Sequence, residues 1–205
     1  MKERKETISI AKANILAVAL MVGAAIVGIP YYILVSNLLG YEVNWLGFWD
    51  AIKSDNLEWW QPFGVVVSFW LILIVGAVLH ELVHGITWAY YSKGGWRSVS
   101  FGVIWKMLTP YCHCSEPLKK SQYITGALMP LFVVGILPLL VSPFVESICL
   151  CFFGIFYISG AAGDLMVVSR LRKENPSFTI LDHPTEPGYL VYEEENSVCS
   201  DVGNA

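Results

Sequence analysis

Residues 62–91 read PFGVVVSFWLILIVGAVLHELVHGITWAYY. An unbroken apolar run of this length suits a helix crossing about 30 Å of hydrocarbon, and it carries two histidines and a glutamate where such a helix has every reason to be inert. Three further stretches have comparable character: 13–39, 125–141 and 147–169. Together they predict an all-α integral membrane protein, a four-helix transmembrane bundle occupying residues 1–173. Pro130 and Pro138 interrupt the third stretch, which is expected to kink there or to be a broken or re-entrant element. The small residues around Gly160 in the fourth are expected to let helices approach closely.

Composition agrees. Of the 205 residues, 55% are hydrophobic and 15% charged, and the mean hydropathy is +0.55, too apolar for an ordinary soluble domain. The net charge of -4 gathers near Glu193, Glu194 and Glu195, and no basic face suits nucleic acid. The expected partners are membrane lipid and a peptide or membrane-protein substrate. Five cysteines, scattered between an apolar run and a loop, suggest no disulfide framework.

Basic residues set the direction. Lys2, Arg4, Lys5 and Lys12 precede the first span; Lys93, Arg97, Lys106, Lys119 and Lys120 fill the second connection; Arg170, Arg172 and Lys173 follow the fourth. Only Lys53 lies in the first connection. Both termini are therefore expected in the cytoplasm, with the protein in the cell membrane. Trp59 and Trp60 would mark the outer entry of the second span, and Trp88, Tyr90 and Tyr91 its inner exit; Trp45 and Trp49 suggest a connection lying on the outer surface.

Between spans two and three, Ser98–Trp105 (SVSFGVIW) is β-branched and aromatic, Thr109-Pro110 breaks it, and Tyr111–Cys114 returns, so a small cytoplasmic β-hairpin is expected. The strand near Phe101–Trp105 could offer its edge to an extended substrate. Residues 174–205 form an acidic cytoplasmic tail, partly docked through Ile180–Tyr192 or disordered.

The chemistry lies in His80-Glu81-Leu82-Val83-His84, the pattern H-E-x-x-H. Positions i and i+4 share a helix face, so both imidazoles reach one metal while Glu81 stands beside them as candidate catalytic base. The rival reading is a polar seam between helices, but each ionisable group in hydrocarbon costs about 2.5 to 3.5 kcal/mol, which makes three in five residues an expensive seam. A third ligand is required, and Asp164 in Ser159-Gly160-Ala161-Ala162-Gly163-Asp164 is the candidate. At 1.5 Å per residue, His80 and Asp164 lie about 25 to 27 Å from the outer ends of two parallel spans, hence at one level. The rival reading pairs Asp164 with Arg170 or solvates it at the interface. The metal expected is Zn2+. Cys112-His113-Cys114 is too tightly spaced for an ordinary zinc site, and His113 is a candidate oxyanion donor or an exposed histidine.

The HELVHG segment and a later aspartate in GAAGD resemble the site-2 protease type of intramembrane metallopeptidase. More closely, the chain resembles a family of small bacterial membrane proteins known as putative zincin peptidases, from about residue 60 to residue 192, including TPYCHCSEPL and DHPTEPG. The resemblance implies zinc on His80, His84 and Asp164, with Glu81 as base in peptide hydrolysis near the cytoplasmic face. The better-known proteases carry Asn-Pro before the aspartate and Gly after it, where this chain has Ala162-Gly163 and Leu165. A transporter, sensor or inactive scaffold using the same ligands is the alternative.

Overall fold

The computed structural model describes residues 2–43, 61–105, 109–183 and 188–193. Strand β1 (Lys2–Thr7) leads into helix α1 (Ile10–Leu38), and α2 (Gln61–Tyr91) contains the H-E-x-x-H pattern. A short 3-10 turn precedes a hairpin of β2 (Val99–Ile104) and β3 (Thr109–Cys114). Then come β4 (Leu118–Lys119) and α3 (Lys120–Pro130), followed by a π-helical turn (Leu131–Ile136) and α4 (Leu137–Val141). The chain ends with α5 (Ile148–Gly160), α6 (Ala162–Leu171), β5 (Thr179–Asp182) and β6 (Gly188–Glu193). The tryptophans expected at the outer surface (Trp45, Trp49, Trp59, Trp60), Lys53, Lys106 and the acidic run Glu194-Glu195 lie outside the described residues.

The protein is mostly helical, with two small antiparallel sheets. Three helical segments, Ile10–Leu38, Phe63–Tyr91 and Lys120–Val145, are long and apolar enough to cross a membrane, and α5 with α6 makes a fourth if this pair, bent by 41°, counts as one span. Two differences from the sequence expectation stand out. The third stretch runs through its prolines as one segment, because the π-helical turn after Pro130 absorbs the lost hydrogen bond. The sharp bend falls instead at Ala161 in the fourth, whose backbone (φ -76°, ψ 9°) leaves the helical ladder. The flanking glycines are not close-approach positions: a methyl group at Gly163 would meet nothing within 4 Å, and at Gly160 only Tyr157 at 3.9 Å. They permit the bend, and buried Ala161 and Ala162 supply the packing.

Two cores hold the bundle. Tyr32, Leu139, Cys151 and Ile155 join α1, α4 and α5 at one end. At the other, Trp88, Cys112, Cys114, Leu118, Tyr123, Leu171, Ile180, Tyr189 and Val191 close the helix ends beneath the sheets. The four-stranded sheet runs β1-β6-β5-β4, with Lys5 opposite Leu190 and Ile180 opposite both Val191 and Leu118. It brings the N-terminal segment against the tail. Arg170 reinforces this, donating to Glu6 at 3.2 Å and to the Thr7 carbonyl at 2.8 Å, and so is not the partner of Asp164.

The hairpin is fastened to the end of α2 by Glu116, whose carboxylate accepts from Ser98 Oγ at 2.7 Å and from the amides of Lys93 at 2.9 Å and Gly94 at 3.0 Å. These bonds, Ser98 first, lower its pKa. The fastening is therefore complete above the ordinary carboxylate range and is lost as pH falls through the lowered value.

Candidate metal centre

Two helices position the donors. His80 and His84 stand one turn apart on α2, with ring centroids 5.0 Å apart, and Asp164 sits in the first turn of α6, where the helix N-terminus favours a carboxylate. Asp164 Oδ2 lies 3.2 Å from His80 Nε2, and Oδ1 lies 3.5 Å from His84 Nε2. Both histidines are buried. Among the described residues, the ligand atoms of His80, His84 and Asp164 form a group within 4.8 Å of one another, suited to holding an ion.

The donor chemistry fits zinc. His84 Nδ1 lies 2.9 Å from the Gly126 carbonyl, and a carbonyl can only accept, so Nδ1 carries a proton and Nε2 is the nitrogen left for a metal. Nε2 faces a carboxylate oxygen across 3.5 Å, a gap that a proton on Nε2 or a metal cation between the two would bridge. Ligand distances of about 2.1 Å on a tetrahedral ion imply donor separations of roughly 3.4 Å, which the two observed values bracket. A bond from the other ring nitrogen to a backbone carbonyl, as His84 makes to Gly126, is the usual way a ligating imidazole is oriented. The Nδ1 atom of His80 is buried without a partner.

Glu81 is half-buried and lies beside the group, lining a cavity of about 200 Å³ with His84, Asp164, Tyr123, Cys112 and Asp182. The main chain of Cys112, on β3, approaches Glu81 across the same cavity. That approach explains the strand chemistry. If the Cys112 main chain turns to Glu81, the alternate position Pro110 also faces away from β2, where its missing N–H breaks no ladder bond. Thr109-Pro110 therefore opens β3 instead of breaking the hairpin, and β3, not Phe101–Trp105 of β2, is the strand beside the cavity. Cys112 and Cys114 point into the core and burial pushes both thiols up, while His113 turns to Asp182 at 3.2 Å. Among the described residues the three side chains do not converge into a group that could hold an ion, and His113 is not among the residues lining the cavity.

Trp88, whose amphipathic ring suits the membrane interface, is instead buried. Its ring stacks on His84 at 5.0 Å and on Tyr123 at 5.2 Å, and Nε1 donates to the Tyr123 carbonyl at 3.3 Å. Gly126 makes room: a methyl group there would lie 2.1 Å from Trp88 Nε1. Gly126→Ala, usually favourable in a helix, is expected to cost about 1 to 3 kcal/mol here by forcing the indole from His84. A lowered unfolding midpoint with weaker zinc binding in titration checks it. On the other side, Gly76 makes room for Tyr157, whose hydroxyl donates to the Leu73 carbonyl and ties α5 to α2 above His80.

A His/His/Asp group with both histidines buried, beside a glutamate at a cavity and carried on apolar helices, could hold a metal ion. The chain belongs to the putative zincin peptidase family, whose model matches residues 73–178, half of the chain, and spans His80, Glu81, His84 and Asp164. No curated protein and no solved structure matches it.

Proposed function

We propose that the protein is a zinc-dependent membrane peptidase of site-2-protease type, in which His80, His84 and Asp164 hold zinc and Glu81 is the general base for hydrolysis of peptide bonds near the cytoplasmic face of the cell membrane. The observation that carries this is the convergence of those three ligand atoms within 4.8 Å next to a carboxylate that lines the same cavity. A zinc ion so held would polarise the scissile carbonyl and make water easier to deprotonate. Glu81 takes the proton from the attacking water and passes it to the leaving amine.

Exposed apolar side chains along α2, among them Phe69, Trp70, Ile74 and Val78, form a surface suited to lipid. The distribution of basic residues supports a cytoplasmic position for the sheet end. An extended peptide or an unwound stretch of a membrane protein is the expected substrate, lying along the β3 edge where carbonyl groups not used by β2 face the cavity. A transporter would need ligands at several depths; the donor group found among the described residues sits at one.

The test uses membrane vesicles from cells making the protein, with unstructured peptides added outside. Cleavage is expected in inside-out vesicles, lost with a zinc chelator and restored by zinc. Cleavage confined to right-side-out vesicles would overturn the orientation, and chelator-resistant cleavage the zinc mechanism.

A further inference from the structure

We propose that Asp182 is a positioning residue for this centre: its carboxylate holds His113 of β3 and Tyr123 of α3 together, and so sets the cavity wall that faces the zinc ligands. The proposal rests on the peptidase reading above and concerns a residue beyond the family match, which ends at 178. Asp182 Oδ1 accepts from the Tyr123 hydroxyl at 2.9 Å, and Oδ2 lies 3.2 Å from His113 Nδ1. A carboxylate accepts and does not donate, so His113 carries its proton on Nδ1 and its lone pair on Nε2.

Each partner leads to the centre by one further contact or two. His113 is the neighbour of Cys112, which lines the cavity together with Glu81. Tyr123 stacks on Trp88, and Trp88 on His84. One carboxylate thus constrains both the strand beside the proposed base and a proposed ligand, and it lines the same cavity as they do. Its mounting is firm: Asp182 pairs with Tyr189 across β5 and β6, the next amide, of His183, bonds to the Gly188 carbonyl at 3.1 Å, and Ile180 is fully buried. The tail strands therefore complete the site. Second-sphere partners of this kind typically change metal affinity or activity by about 10- to 100-fold.

The experiment compares the full-length parent, Asp182→Asn, Tyr123→Phe and the double variant in detergent, with zinc content, peptide cleavage and histidine-selective 15N NMR on the same samples. An amide offers one acceptor and one donor, so in Asp182→Asn the amine of Asn faces His113 while its oxygen keeps Tyr123, and His113 moves its proton to Nε2. Expected are that tautomer shift, retained zinc, and kcat lower by about 10- to 100-fold with KM within a few-fold. Tyr123→Phe keeps the ring stack and lowers kcat less, and its effect shrinks in the Asp182→Asn background because both act through one brace. The proposal is overturned if zinc-loaded Asp182→Asn turns over like the parent, if His113 keeps its tautomer, or if the two effects simply add. A parent that cleaves nothing would count against the peptidase reading instead, and the tautomer would then decide for or against the brace.

Discussion

Glu81→Gln is expected to retain zinc and lose turnover by about 10²- to 10⁴-fold, toward the upper end because the lost carboxylate is the one group placed to take the proton from water. Glutamine keeps the shape and an oxygen acceptor. The cavity, the ligand triad and the hairpin should therefore survive, and KM should change little. Initial rates with zinc measured in the same samples decide it. Equal cleavage by both proteins would remove Glu81 as the base.

His80→Ala and His84→Ala should both lose zinc, yet they should part company once the metal is stripped. His84 makes a bond to Gly126 and stacks on Trp88, so its truncation unpairs a carbonyl and undermines the Trp88–Tyr123 stack. His80 has no partner for its buried Nδ1. In chelated samples His84→Ala should be less stable than His80→Ala by about 1 to 3 kcal/mol, the cost of a buried group left unsatisfied. In zinc-loaded samples the parent should stand well above both, since metal affinity is also folding free energy. Unfolding midpoints with and without chelator show the pattern; equal midpoints in chelated samples would mean that His84 has no role beyond ligation.

What was legible in the sequence was local or set by depth. The spacing of His80 and His84 follows from helix periodicity, and Asp164 from two parallel spans measured from their outer ends. The apolar stretches and the hairpin follow from residue type within short windows. What was not legible arises from distant pairings. β1 reads KERKET, with no apolar alternation, and becomes a strand because β6 lies beside it, with Lys5 opposite Leu190. Trp88 looks like an interface tryptophan until Tyr123 and His84 close over it. Of the small residues before Asp164 that suggested close packing, Ala161 and Ala162 do pack, whereas the glycines free the chain to bend. Asp182 opens the DHPTEPG segment, but nothing local to that segment shows what it does; its role rests on partners 59 and 69 residues away.

Elemental analysis of zinc per chain in the purified parent and in Asp164→Ala and Glu81→Gln tests the centre most directly. The triad predicts about one zinc per chain in the parent and in Glu81→Gln, and loss of zinc in Asp164→Ala. Full zinc in Asp164→Ala, or a parent that binds none when zinc is supplied, would contradict it.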